Sequence, residues 1–487
     1  MNARDARLLV VSALLAALVC APVAANDATS TEASSTDATS TEPASTEPSS
    51  TEPSSAEPSS TEPSSTEPAS TEPASTEPSS TEPSTTEPAS TGPASSDGSS
   101  DADVTPVGAS PWAEGLDAEF GKGVTLTSPD GRFSLTTRGR VQFRAAASYD
   151  DADVDEEEPV DLFLQIRRAR LVFMGQLFRP DVQFYIQLGV APSDMEPDLL
   201  VPLRDAVLSW TPLRDVGVRV GQMKVPFNRE RVISSSALQF TDRSIVNAEL
   251  TLDRDIGVQL FSNDLLGLGG VLGYQVGVFG GEGRNRLNQG VGLLYVARLQ
   301  AQPTGRFDDA YSEADLLRTT TPRVSFGAGV AFNHRARRTQ GTTGMFYRSA
   351  TSDDVHAELD LIVKWWGFSL QSELLFRQSL SRAEDFVIDD APFVELPRSG
   401  TGFMVQAGYL LPFDVELAAR YAMIEPLVVE AVQRVDTAMP RRKEATVAVG
   451  YYVIDHNLKV QGEATRLFAE DVRTGTTLGR VQVQVFF

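Results

Sequence analysis

From residue 132 to the last residue, Phe487, the chain repeatedly sets apolar residues at every second position and polar or charged residues between them. Phe133, Leu135, Val141, Phe143 and Ala145 alternate with Ser134, Thr136, Arg138, Arg140, Gln142 and Arg144. Val182, Phe184, Ile186, Leu188 and Val190 alternate with Gln183, Tyr185, Gln187 and Gly189. Val355, Ala357, Leu359, Leu361 and Val363 alternate with His356, Glu358, Asp360 and Lys364. A period of two is the signature of a strand with two unlike faces. A soluble sandwich needs a dry inner face, and charges at alternate positions deny it one. A wide barrel with lipid outside and water inside accommodates both faces.

No stretch reaches the 18 or so consecutive apolar residues of a membrane helix, and a closed barrel is the other structure that satisfies every backbone group in lipid. The alternation predicts an all-β fold, a transmembrane antiparallel barrel of sixteen strands, near 132–148, 162–178, 182–191, 203–211, 216–225, 254–262, 271–280, 290–300, 323–333, 355–366, 368–379, 402–411, 414–424, 443–454, 457–468 and 478–487. Short turns such as Arg179-Pro180-Asp181, Gly367 and Pro412-Phe413 would face the periplasm, and longer loops the outside. The segment 301–322 breaks this pattern, being long where a turn is expected. The run Val481-Gln482-Val483-Gln484-Val485-Phe486-Phe487 ends the last strand on a lipid-phase aromatic, like the signal that barrel assembly machinery reads.

The N-terminal part is of another kind. Residues 1–25 read as a secretory signal, with Arg4 and Arg7, an apolar run from Leu8 to Cys20, and Val23-Ala24-Ala25 at the cleavage site. Cys20 is the single cysteine, so a chain cut after Ala25 has no thiol chemistry; an anchor at Cys20 is disfavoured because Val19 is bulky for a lipobox. Residues 26–111 form a linker whose core, 41–90, is ten five-residue units: nine carry Thr-Glu-Pro and one, at 56–58, Ala-Glu-Pro. With nothing to bury and a proline in every unit, it is expected to be disordered and extended, reaching at most about 155 Å at ~3.1 Å per residue. Its role is either an inert spacer or a tether contacting peptidoglycan. Residues 112–131 lead into the barrel at 132–487.

The formal charge of −24 divides unevenly. Residues 26–110 hold sixteen acids and no Lys or Arg, and eight further acids lie between Asp150 and Asp161. Outside these patches the barrel is near neutral, so overall acidity says nothing of its lumen, and no basic surface for nucleic acid is present.

Residues 123–299 resemble the phosphate-selective porin O/P family. The likeness rests on GVTLTSPDGRFSLTTRGRVQFR at 123–144, FLQIRRARLVFMGQLF at 163–178, VGVRVGQMKVPFNRERVISSSALQFTDRS at 216–244, RDIGVQLF at 254–261 and GVFGGEGRN at 277–285. Over the second half of the barrel the likeness is architectural. The resemblance implies a sixteen-stranded homotrimeric barrel in the outer membrane of a Gram-negative bacterium, with a basic, anion-selective constriction; small phosphate-like anions are the candidate solutes, and no cofactor is expected. The long linker departs from the family pattern.

Two features are candidates for an anion pathway. Arg138, Arg140, Arg144, Arg168 and Arg170 share the lumen phase of the first two strands, while Arg167 falls on the opposite phase, near an interface. Guanidinium groups stay charged and match phosphate or carboxylate oxygens. The second feature is the third outer loop, 226–253, with Arg229, Arg231 and Arg243, Lys224 at its start, and Glu230, Asp242, Glu249 and Asp253. Arg219 adds a further lumen-phase cation among mixed charges. The same pattern admits two readings: a general pore with a transverse field between basic wall and acidic loop, or a dedicated phosphate-type site. Asp151-x-Asp153-x-Asp155 lacks the glycine of a calcium loop, Gly280 to Gly283 opens no helix, and the three histidines are scattered singly, so neither metal binding nor catalysis is expected. The structural alternative, a barrel that anchors the envelope through its Pro-rich arm, would need only a small closed barrel.

Overall fold

The computed structural model describes residues 115–487, apart from 152–159, 197–198, 288–289, 291, 349–350, 382–383, 389–390, 428–438 and 469–474. The expected signal, the linker and the acidic tip after Asp151 lie outside the described residues. Sixteen strands build the barrel. They are β1 (Ser134–Asp150), β2 (Val160–Leu177), β3 (Arg179–Gly189), β4 (Leu203–Trp210), β5 (Gly217–Lys224), β6 (Arg254–Ser262), β7 (Leu272–Phe279) and β8 (Leu294–Ala301). They continue with β9 (Arg323–Ala336), β10 (Ser352–Trp365), β11 (Phe368–Ser379), β12 (Gly400–Leu410), β13 (Val415–Pro426), β14 (Arg442–Ile454), β15 (Leu458–Phe468) and β16 (Gly475–Phe486). Each boundary falls within four residues of the one the alternation predicts. Every strand pairs antiparallel with its sequence neighbours, and β16 closes on β1 from Phe486↔Arg140 to Thr476↔Asp150.

The two faces sort as the period requires. On β10, His356, Glu358, Asp360 and Lys364 are buried inside, whereas Leu359 between them is 58% exposed on the outer wall. An outward arginine would cost ~2–4 kcal/mol at the bilayer midplane, and Arg140, Arg144, Arg168 and Arg170 all point inward and are buried. Trp210, Trp365, Trp366, Tyr409, Phe413 and Phe487 are exposed at the end with short turns, where amphipathic rings suit the headgroup region.

Closure is fixed at the C-terminus. Gly139 and Phe487 exchange backbone hydrogen bonds of 2.7 and 3.0 Å. The Phe487 ring lies where a Cβ at Gly139 would stand, only 2.4 Å from its nearest carbon, so a side chain there would displace the terminal ring. Beyond this point the lead-in contributes structure of its own. Leu116–Glu119 and Gly123–Thr127 form a hairpin, and its second strand pairs with β1 over Ser134–Thr137, where β16 has already ended. Gly121 and Gly123, at φ 80° and 87°, supply the left-handed turn that this hairpin needs.

The long connection between β8 and β9 turns inward instead of capping the rim. Asp309 pairs with Lys364 of β10, and Asp315 accepts the Gly367 N–H at 2.8 Å. Glu313 reaches the third outer loop from below: its N–H donates to the Ala237 carbonyl at 2.9 Å and its carboxylate accepts the Gln239 N–H at 2.7 Å. The segment is long because it enters the lumen and must return.

Candidate permeation pathway

The third outer loop joins β5 to β6 and lies within the barrel. Its apolar residues dictate this. Val225, Phe227, Val246, Leu250 and Leu252 are buried against Phe279, Leu294, Val296, Leu375, Met404 and Ile424 of the barrel's inner wall. Two short helices shape it, α1 (Arg229–Val232) and α2 (Ile245–Leu250), the second capped by Ser244, whose hydroxyl accepts the Asn247 N–H at 3.1 Å. Loop backbone that leaves a sheet must find other partners, and the wall's carboxylates supply them. Glu463 accepts the Thr241 N–H and hydroxyl at 2.8 and 2.6 Å, and Glu444 accepts the Ile245 N–H at 2.9 Å. Glu373 accepts from the Asn228 side chain at 2.9 Å and from the Glu230 N–H. Asp360 binds both Arg229 and Arg298. The acids that alternate along β10 to β15 thus fasten the loop to one side of the barrel.

The opposite side stays open. Between the loop and β2 to β7 lies a cavity of ≈ 610 Å³. Ten cationic side chains line it: Arg167, Arg168, Arg170, Arg204, Arg219, Lys224, Arg231, Arg243, Arg254 and Arg284. Among the described lining residues, carboxylates come from Asp194, Asp205 and Asp253 alone. Asp194 pairs with Arg170 at 2.6 Å, Asp205 takes Arg254 in a two-pronged grip at 3.0 Å, and Asp253 binds Arg231 and Arg254. Arg219 stacks 3.8 Å from the centre of the Phe261 ring, a contact that orders the guanidinium without neutralising it. Arg243 donates to the Glu230 and Ile233 carbonyls at 2.6 and 2.7 Å. Burial lowers its pKa, against the raising effect of Glu230 and Glu313, to about 10, so it stays cationic at neutral pH.

Of the residues singled out in the sequence, Arg168, Arg170, Arg219, Lys224 and Arg231 line this cavity. Arg138 and Arg140 line a smaller space of ≈ 120 Å³ beside it, which shares Arg170, Tyr185 and Gln187 with the larger one. Two others sit elsewhere. Arg144 is drawn off by Asp242 at 2.5 Å, the Thr241 carbonyl at 2.9 Å and Gln482, and so braces the loop. Arg229 lies on the far side of the loop, held by Asp360 and Ser325.

Arg167 departs from the expected phase. A register shift between Gln142 and Phe143 makes it the extra residue of a bulge, which turns it inward beside Arg168. Both arginines reach Asp242, at 3.1 and 2.9 Å. Burial alone would raise the Asp242 pKa, but Arg168, Arg167 and Arg144 hold it well below the ordinary carboxylate range.

Of the loop's four acids only Asp253 lines the cavity, and it is bound by Arg231 and Arg254. Glu230 caps Ser244 at 2.7 Å, Glu249 binds Arg377 and Arg398 at 2.9 Å each, and Asp242 is bound by three arginines. The cavity-facing loop surface is basic, through Arg231 and Arg243, beside Asp253. Arg204, Arg254 and Arg284 were missed in the sequence. The first two stand next to Asp205 and Asp255, which partly cancel them in a reading of local charge, and Arg284 lies in an outer loop where no phase applies.

A second chamber of ≈ 380 Å³ adjoins the first toward the short-turn end. The two share Val232 of α1 and Gln275 of β7. No group of three or more metal-ligating side chains occurs among the described residues.

A sixteen-stranded, water-lined barrel narrowed by an inward third loop is the architecture of an outer-membrane porin. The chain belongs to the family of phosphate-selective porins O and P, whose model matches residues 140–464. It resides in the outer membrane. Solved structures with a similar fold include an anion-selective porin from Comamonas acidovorans, at 11% identity and a TM-score of 0.47, covering 73% of this chain and 100% of that one. They also include the outer-membrane channel DcaP of Acinetobacter baumannii, at 12% identity and a TM-score of 0.48, covering 74% and 99%. OprB of Pseudomonas putida is similar at 10% identity and a TM-score of 0.47, covering 74% and 95%. No curated protein sequence matches significantly.

Proposed function

We propose that this porin is a passive diffusion channel for small solutes with a preference for anions. The observation that carries the reading is the imbalance in the 610 Å³ cavity, ten cations against three carboxylates. An anion crossing the barrel must exchange hydration for contacts weak enough to release it. Arg284, Arg204, Arg254, Arg231, Arg243 and Arg219 line the one cavity and offer such contacts together. Arg138, Arg140 and Arg170 offer a parallel set on the β1–β3 side.

Phosphate is the anion suggested by the family, and guanidinium groups suit it. The test is planar-bilayer recording of purified protein in a potassium chloride gradient. A reversal potential on the anion side is expected; a cation-side value would refute the proposal. Block of chloride current by millimolar phosphate would mark a dedicated site, and its absence a general anion-preferring pore. Family resemblance also leads us to propose a homotrimer, testable by the mass of the detergent-solubilised particle.

A further inference from the structure

The second chamber has a lining that an inorganic anion does not need. We infer that the channel is fitted to small aromatic carboxylates, and that this chamber receives their ring. The inference rests on the anion-channel reading above.

The inward β8–β9 segment supplies the chamber's stacked aromatic rings. Phe307 and Tyr311 of that segment stack with ring centres 5.1 Å apart, and Tyr274 of β7 faces the same space. Both tyrosine hydroxyls are already engaged: Tyr274 donates to the Asp215 carbonyl at 2.9 Å, and Tyr311 accepts from Gln300. Arg229 lies over the Tyr311 ring, 4.7 Å from its centre, so what remains for a solute is ring surface of Phe307 and Tyr274. Val232, 40% exposed, stands at the junction, lining both chambers. Gln275 is the one polar side chain shared at the junction, and Val232 beside it offers phosphate nothing in exchange for its hydration. It offers an apolar body removal from water. The cations arrange the other half of the match. A carboxylate leaving the arginines of the first chamber keeps guanidinium partners within reach while its ring passes Val232 and meets Phe307. In the second chamber Arg229 and Arg298 are engaged by Asp360 and Glu358, whereas Arg306 is exposed at the lining. An aromatic acid uses both surfaces, a short aliphatic acid only one.

The experiment compares benzoate, acetate and inorganic phosphate as blockers of chloride current through the full-length porin in planar bilayers. Benzoate is expected to reach half-block at a concentration about tenfold below acetate, a difference set by apolar surface. Phe307→Ala and Val232→Ser should each bring benzoate toward acetate, and Tyr311→Phe, which keeps the ring, should preserve the gap. Heat-modifiable migration on gels confirms that each variant is a folded barrel, and the Val232→Ser change tests the proposal should Phe307→Ala not fold. Equal block by benzoate and acetate in the wild type would overturn the inference while leaving an anion-selective channel. So would block by phosphate without block by benzoate, or both variants retaining the full gap. A cation-side reversal potential would overturn the channel reading beneath it as well.

Discussion

Arg144 and Arg219 both point into the lumen, yet their surroundings give them opposite roles. Arg144 is bound by a carboxylate, a carbonyl and an amide, and Arg219 has an aromatic ring beneath it. Arg219→Gln is therefore expected to reduce anion selectivity at a stability cost of only ~1 kcal/mol, the worth of one cation–π contact, read from reversal potential and thermal migration together. Asp360→Ala should do the reverse. It strands Arg229 in the packed half of the lumen and leaves Arg298 with Glu358 alone, and breaking a buried pair from one side costs ~3–5 kcal/mol. The melting temperature would fall before selectivity changes. This division was only partly legible in the sequence. The period of two placed Arg140, Arg168, Arg170 and Arg219 inside. It could not show which would be consumed by the loop, because the partners Asp242 and Asp360 are distant in sequence. Arg167 was misplaced because a bulge shifts the phase by one residue without any glycine or proline to announce it.

At the scale of elements, the third outer loop and the β8–β9 segment meet inside the barrel, and Glu313 is their junction. Burial, helped by the charge of Glu230, raises its pKa from the ordinary 4.5 to about 7. A carboxyl that is harder to ionise in the folded protein takes up protons that the unfolded chain releases between pH 4.5 and 7. Its effect is to lower stability as pH rises through that window, by up to ~3 kcal/mol, with no further loss above it. Glu313→Gln should flatten the pH dependence of melting between pH 4.5 and 7; an unchanged slope would show that the junction does not titrate there. Glu463→Gln weakens the hold on Thr241 without removing a packed side chain, and is expected to give larger, noisier single-channel currents as the loop loosens. The position of the third loop was readable from strand count and family resemblance. The inward course of 302–322 was not, since length shows that a connection is irregular but not on which side of the rim it folds.

At the scale of the molecule, the barrel is complete without the Thr-Glu-Pro repeats. β1 to β16 close through Phe487 and Gly139, and the lead-in hairpin completes the rim from residue 116. Deleting 41–90 should leave heat-modifiable migration and conductance unchanged; loss of either would assign the arm a role in assembly. The sixteen strands were legible because lipid and water impose their alternation on every one of them, whereas the linker's composition does not distinguish a spacer from a tether. The central claim is that anions pass along the arginine-lined side of the third loop. The measurement that tests it most directly is the reversal potential of the Arg219→Glu, Arg243→Glu double variant beside wild type, in a salt gradient at low and high ionic strength. A shift toward cations of tens of millivolts is expected at low salt, shrinking near 1 M, where exposed charges are screened over ~3 Å. A folded double variant with the wild-type reversal potential at low salt would contradict it.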